Sequence, residues 1–397
     1  MPTKPVPPRL SATGGDASMR AAEIAVEELT GVSFLTQLQA EDPLRVLVIG
    51  GGTGLSSVLQ GLKLYARPEL GAPPDGVRYQ LPPEARVDIS AVVTVTDDGG
   101  SSGRLRREFE VLPPGDIRNC MVALSEDSAL MSRLFQYRFD TGRGLKGHSF
   151  GNLFLTVLTQ ITGDFAHAIK LSSEVLAIAG RIYPSTASNV VLRAKLEDGT
   201  VVTGETKISK SRMRIQKISL SPRKPRPLAE TLRAIEEADL ICLGPGSLYT
   251  SVVPNLLVDG IPEAIARSHA LKAYYCNLMW QPGETMQFRA SDHVEAIHRH
   301  ARRHLVECII VNTRPIGQPL RRRYALEEAK PVEVDRERLE AMGLRIVEAD
   351  LLAKAEKVRH DPHRSAAVAM QLALMGRKKR HRAALLEPLS VVAATSG

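Results

Sequence analysis

Residues 45–62, RVLVIGGGTGLSSVLQGL, carry two hydrophobic periods in succession. Arg45-Val46-Leu47-Val48-Ile49 is a short β-branched run, the composition of a strand buried on both faces. Leu55, Val58, Leu59 and Leu62 then recur at helical spacing. Between the two lies Gly50-Gly51-Gly52-Thr53-Gly54. The pattern predicts strand, glycine turn, helix. A second buried-strand run, Val87–Val95, leads straight into Thr96-Asp97-Asp98-Gly99-Gly100-Ser101-Ser102-Gly103. Two such units describe an open parallel sheet, in which ligands bind beyond the carboxyl ends of the strands. Both polar turns then open on one edge.

The pattern continues along the chain. Helices are predicted from Cys120, from about His148, over 165–180, over 228–238 and over 293–304. Strands are predicted at 239–243, 273–278 and 306–311. From 189 to 209 the period becomes two, with Asp198-Gly199 as a hairpin turn. This is a β-hairpin insertion near 186–227, closed by a basic, proline-rich stretch. Residues 1–43 read as an N-terminal extension, disordered over the first 18 or so, with a short amphipathic helix over 19–40. Residues 316–375 read as a small α/β cap and 376–397 as a basic, flexible tail.

Composition narrows the function class. The 397 residues are 43% hydrophobic and 24% charged, the values of a soluble globular protein. The formal net charge is +8, which suits an acidic partner. The excess lies in local clusters with no nucleic-acid motif beside them, so no nucleic acid is expected. The four cysteines are single and far apart. They read as reduced core residues of a cytosolic protein, not as a disulfide or zinc framework. No apolar run reaches the roughly 20 residues of a membrane span, and the N-terminus lacks a signal-peptide core.

Glycines after a strand let a ligand approach the main chain. The first amides of the next helix, with its dipole, make an anion site. The spacing is neither the dinucleotide fingerprint, since Leu55 replaces the third glycine, nor a P-loop. An NAD(P)-linked oxidoreductase is disfavoured for the same reason. Asp97 and Asp98 suit sugar or ribose hydroxyls, or a Mg²⁺. The bland alternative is a capped turn. Gly244-Pro245-Gly246-Ser247 is a third strand-end loop, with Ser247 a candidate N-cap. Arg118, beside Asp116 and Asn119, either meets a phosphate bidentately or pairs with Asp116. Asn152 is a pocket residue or a helix cap. Gly147-His148-Ser149-Phe150-Gly151 fits the nucleophile elbow of hydrolases but lacks the strand that motif needs. His293, His298, His300 and His304 have no acid completing H-E-x-x-H. They read as part of a solvated basic helix, not as a metal site.

Together VIGGGTGLSSVLQGLK, AVVTVTDDGGSSGRLR, PPGDIRNCMVAL, GHSFGNLFL, ADLICLGPGSLYTSVVPNLLV and NLMWQPGET resemble the YvcK-type gluconeogenesis factors. These are related to the CofD-type 2-phospho-L-lactate transferases of coenzyme F420 synthesis. The resemblance implies an α/β fold: a Rossmann-like α/β/α core over 44–315 with a mostly parallel sheet, the β insertion and the small C-terminal cap. It implies a cytoplasmic regulator that binds a UDP-sugar, typically UDP-N-acetylglucosamine. It also implies a role in cell shape and cell-wall homeostasis during gluconeogenic growth, with no established reaction and no required cofactor. The alternative is a CofD-like enzyme that transfers a phospholactyl group from a guanylylated donor to a deazaflavin, with Mg²⁺ at Asp97.

On this reading Gly50, Gly51, Gly52, Thr53 and Gly54 cradle the diphosphate. Thr96, Asp97, Asp98, Gly99, Gly100 and Ser101 meet hydroxyls or a metal. Gly244, Pro245, Gly246, Ser247 and Asn277 form the second wall. Arg118, Asn119 and Asn152 close the pocket. Arg321–Tyr324 reach the ligand or a partner. A regulatory protein partner and a homodimer are both compatible with this reading.

Overall fold

The structure, a computed structural model, describes residues 42–71, 81, 85–126 and 130–394. The expected helix over 19–40 and much of the proline-rich loop over 68–83 lie outside the described residues. The account below concerns the unit formed by Leu44–Tyr79 and Val87–Gly397.

Seven strands make one sheet: β1 (Leu44–Gly50), β2 (Val87–Val93), β3 (Arg181–Pro184), β7 (Leu240–Leu243), β8 (Leu271–Tyr275), β9 (Cys308–Asn312) and β10 (Arg345–Ala349). Their order is β10-β9-β8-β7-β1-β2-β3, and every neighbouring pair is parallel. β1 buries nearly every residue, as a central strand covered on both faces should.

The order reverses at β1. From there the chain steps outward to β2, whereas β7, on the other side, steps outward to β8. Right-handed crossovers running in opposite directions put their helices on opposite faces. They also leave a crevice between the carboxyl ends of β1 and β7. On one face the helix Gly52–Ala66 packs on β1 and β2, and beside it, in contact with it, the C-terminal helix Pro362–Ala394 packs on β1, β7 and β8.

The mostly parallel sheet and the β insertion are as expected, and the structure adds three details. The insertion is a three-stranded antiparallel sheet, β5-β4-β6, of β4 (Val191–Leu196), β5 (Val201–Thr203) and β6 (Ile215–Ser221). Its alternation stops at Gly204, because Glu205–Lys210 is a helix. The basic stretch beyond supplies the third strand, since Ile215, Ile218 and Leu220 alternate inward and are buried. The cap is not separate: β10 joins the main sheet beside β9. The tail boundary at 376 falls inside the helix Pro362–Ala394, and Arg377 is buried against Asp239.

Candidate functional site

A cavity of about 1190 Å³ opens at the crevice between β1 and β7. The turn after β1 supplies Gly51, Gly52, Thr53 and Gly54, and the loop after β7 supplies Pro245, Gly246 and Ser247. Gly52 has φ +66, the left-handed region that favours glycine. Gly54 backs directly on the other loop: a Cβ there would stand 2.5 Å from the Pro245 carbonyl oxygen. The buried Asn255 holds the two turns together, its Nδ2 donating to the carbonyls of Gly50 at 3.2 Å and Ser251 at 2.8 Å.

Of the residues named from sequence, Arg118, Asn119 and Asn277 also line the cavity. Arg118 Nη2 donates to Asn119 Oδ1 at 2.7 Å, while its buried Nε has no partner. Asn277 Nδ2 donates to Gln281 Oε1 at 3.0 Å, and Gln281 Nε2 to Ser247 Oγ at 2.7 Å. Ser247 makes no side-chain cap of its own, and a π-helix, Leu248–Val252, follows it.

The remaining named residues fall elsewhere. Gly50, Thr96, Asp97, Asp98, Gly99, Gly100, Ser101, Asn152 and Gly244 do not line the cavity. Asp98 Oδ1 accepts from the Thr206 amide at 2.8 Å and its hydroxyl at 2.6 Å, tying the insertion's helix to the end of β2. Asp97 Oδ1 accepts from the Gly99 amide at 2.9 Å, the turn-capping role. Ser101, Asn152 and His148 form a buried cluster of their own: Asn152 Nδ2 donates to Ser101 Oγ at 3.1 Å, and His148 Nδ1 lies 3.0 Å from the same oxygen. Ser149 caps the helix Phe150–Thr162 by accepting from the Asn152 amide, so the elbow motif is a helix start. Arg321–Arg323 do not line the cavity, whereas Tyr324 does.

Sequence reasoning missed several wall residues. Lys63 lies on the glycine-turn helix, Glu205 and Ser209 on the insertion, Glu284 on the loop after β8, and Arg359 and His360 just before the C-terminal helix. Lys63 and Glu284 fall within two of the quoted motif stretches, but nothing local marks them as wall residues, and only the folded chain brings them together.

Negative charge collects beneath the glycine turn. A Cβ at Gly51 would stand 2.8 Å from Asp116 Oδ2, and the Gly52 amide bonds the Asp116 carboxylate. Burial, then repulsion by Asp97, pushes Asp116 up to about 7. Burial, then Asp116 and Asp97, pushes Glu205 up to about 9. Glu284 is raised by burial, although Thr250 Oγ1 and the Tyr249 amide both donate to it. Among the described residues no group of three or more His, Cys, Asp or Glu is placed to hold a metal ion. The histidine helix, Ala290–Ala301, is not a solvated one as expected. His293 and His300 are buried, and His300 Nε2 accepts from the Ile218 amide at 3.0 Å.

The family described as "2-phospho-L-lactate transferase CofD" matches residues 46–352. The gluconeogenesis factor of Bacillus subtilis is 45% identical over 83% of this chain and 98% of its own length. That of Halalkalibacterium halodurans is 47% identical over 80% and 92%. A crystal structure of a Bacillus halodurans protein superposes with a TM-score of 0.76 at 45% identity, covering 83% of this chain and 99% of that one. A second, titled a member of the upf0052 family from the same organism, superposes at 0.75. Coverage and identity on this scale place the chain in the CofD family, among the relatives named gluconeogenesis factors.

Proposed function

We propose that the protein is a non-catalytic sensor of a nucleoside-diphosphate sugar, with UDP-N-acetylglucosamine the expected ligand. The carrying observation is the meeting of two strand-end glycine loops, Gly51–Gly54 and Pro245–Ser247, at the mouth of one cavity. Amides at the start of the helix Gly52–Ala66 receive the diphosphate. The cations Lys63, Arg118 and Arg359 line the same space and offset its charge. A cavity of about 1190 Å³ exceeds the roughly 300–1,000 Å³ of ordinary small-molecule sites, as a two-part ligand requires. Regulation of cell shape and wall synthesis during gluconeogenic growth, in the cytoplasm, is the role this reading assigns.

One observation favours a second reading, a CofD-like transferase. Beside burial, Asp97 raises the pKa of Asp116, and Asp116 and Asp97 raise that of Glu205. Mg²⁺ often binds through one or two carboxylates plus ligand phosphates. Asp97 and Asp116 would be those carboxylates, and the ion would neutralise the charge of the donor phosphates.

Calorimetric titration with UDP-N-acetylglucosamine, in Mg²⁺ and in EDTA, separates the two. Metal-indifferent binding without turnover supports the sensor. Binding only of guanine nucleotides, and only with Mg²⁺, moves the protein to the transferase reading.

A further inference from the structure

Positive charge is concentrated in one small module. Between Thr186 and Pro227 stand ten Lys and Arg against three Asp and Glu, so this segment carries seven of the chain's formal +8. The fold sorts these charges. On β4 and β6, Leu192, Ala194, Leu196, Ile218 and Leu220 point inward and are buried. Arg193, Lys195 and Lys217 point outward and are exposed.

Lys195 stands directly opposite Lys217 in the antiparallel register, with Arg193 two residues along the same strand. Like charges directly opposite destabilise a sheet. Among the described residues none of the three side chains has an acidic partner. A folded protein that tolerates this repulsion gains from it when the face meets negative charge.

We propose that the outer face of the β5-β4-β6 sheet docks an extended acidic segment of a partner protein. Arg193 and Lys195 repeat at about 6.6–6.8 Å, the spacing of alternate side chains in any extended chain. Carboxylates at every second position of such a chain match that repeat. Single-stranded nucleic acid binds on aromatic stacking platforms. Membrane surfaces are held by aromatic or apolar anchors beside the charges. The segment 186–227 contains no Phe, Tyr or Trp. Val201, exposed opposite Lys195, is a small side chain rather than a membrane anchor, and charge without rings selects a polypeptide. The proposal is independent of what fills the cavity.

Fluorescence anisotropy of a labelled peptide of alternating Glu and Thr tests it on the full chain. A Gln/Thr peptide, vesicles containing phosphatidylglycerol and an oligo-dT serve as competing probes. The triple variant Arg193→Glu/Lys195→Glu/Lys217→Glu is compared with Arg267→Glu/Arg302→Glu, which reverses two exposed charges elsewhere. Near-UV circular dichroism checks that both remain folded. The expected result is salt-sensitive binding of the Glu peptide alone. It weakens roughly tenfold or more in the triple variant and less than threefold in the control. Equal losses in both variants, no binding of the Glu peptide, or preference for vesicles or oligo-dT overturns the proposal. If the triple variant unfolds, the single Lys195→Gln, expected to weaken binding severalfold, decides in the same way.

Discussion

The carboxylate of Asp239 holds the guanidinium of Arg377 by two bonds, Nε to Oδ1 at 2.8 Å and Nη2 to Oδ2 at 2.6 Å. Both side chains are almost wholly buried, at 0% and 4% exposure. The Arg45 amide donates to the same carboxylate at 2.9 Å, and Arg380 lies 3.2 Å away. One acid thus ties the C-terminal helix to the amino ends of β1 and β7. Breaking a buried pair leaves an uncompensated charge and costs about 3–5 kcal/mol. Arg377→Ala should lose that much, read from the urea midpoint at unchanged m-value. A loss below about 1 kcal/mol would show that the pair does not hold the helix.

Asp116 should make the affinity for the proposed ligand pH-dependent. Its carboxylate occupies the Gly52 amide and is raised to about 7; Glu205 beside it is raised to about 9. Protonation removes negative charge from beside the diphosphate, so binding should be tightest below pH 7. Affinity should fall as pH rises through about 7, and again toward 9. Asp116→Asn should flatten the first step. Calorimetry from pH 6 to 9.5 checks both, and affinity that rises with pH would refute the assignment.

The same shift predicts a stability effect. A folded-state pKa above the unfolded value means that the native state binds the extra proton. Its penalty is absent below pH 4 and grows as pH rises to about 7. At pH 8, Asp116→Asn should therefore be more stable than the parent by about 1–4 kcal/mol. At pH 4 the two should melt together. Thermal melts at the two pH values are sufficient.

Asp98 and the glycine turn should separate in ligand affinity. Asp98→Ala removes two bonds to Thr206 and should cost about 1–2 kcal/mol of stability while leaving ligand affinity within twofold. Gly54→Ala should lower ligand affinity as well as stability. The added methyl meets the Pro245 carbonyl and parts the two loops, weakening the ligand by roughly tenfold, about 1.4 kcal/mol. Parallel melts and titrations of both variants test the contrast.

The hydrophobic code made much of this legible. Apolar runs leading into polar glycine turns marked β1, β2 and β7, and their parallel pairing placed Gly51–Gly54 and Gly246 on one edge. What the sequence did not show has physical reasons. Asp97 and Asp98 follow a strand as ligand-binding acids do, but local amides hold Asp97 and the Thr206 amide and hydroxyl hold Asp98. The contact with Thr206 crosses 108 residues and leaves no local trace. Arg377 sits in a basic run that reads as solvated, because its partner lies 138 residues earlier. Lys63, Glu205 and Arg359 reach the cavity from three separate parts of the chain, a convergence that no local pattern records.

The strand order also sets a schedule for synthesis. β1 emerges early and pairs with β2 soon after, yet its other neighbour is β7, some 194 residues later. At about 5–20 residues per second the open edge of this central strand waits roughly 10–40 s on the ribosome. Until β7 arrives neither the crevice nor the cavity exists, so no ligand can assist the nascent chain. The interval belongs to chaperones, and slower translation between residues 94 and 239 lengthens it.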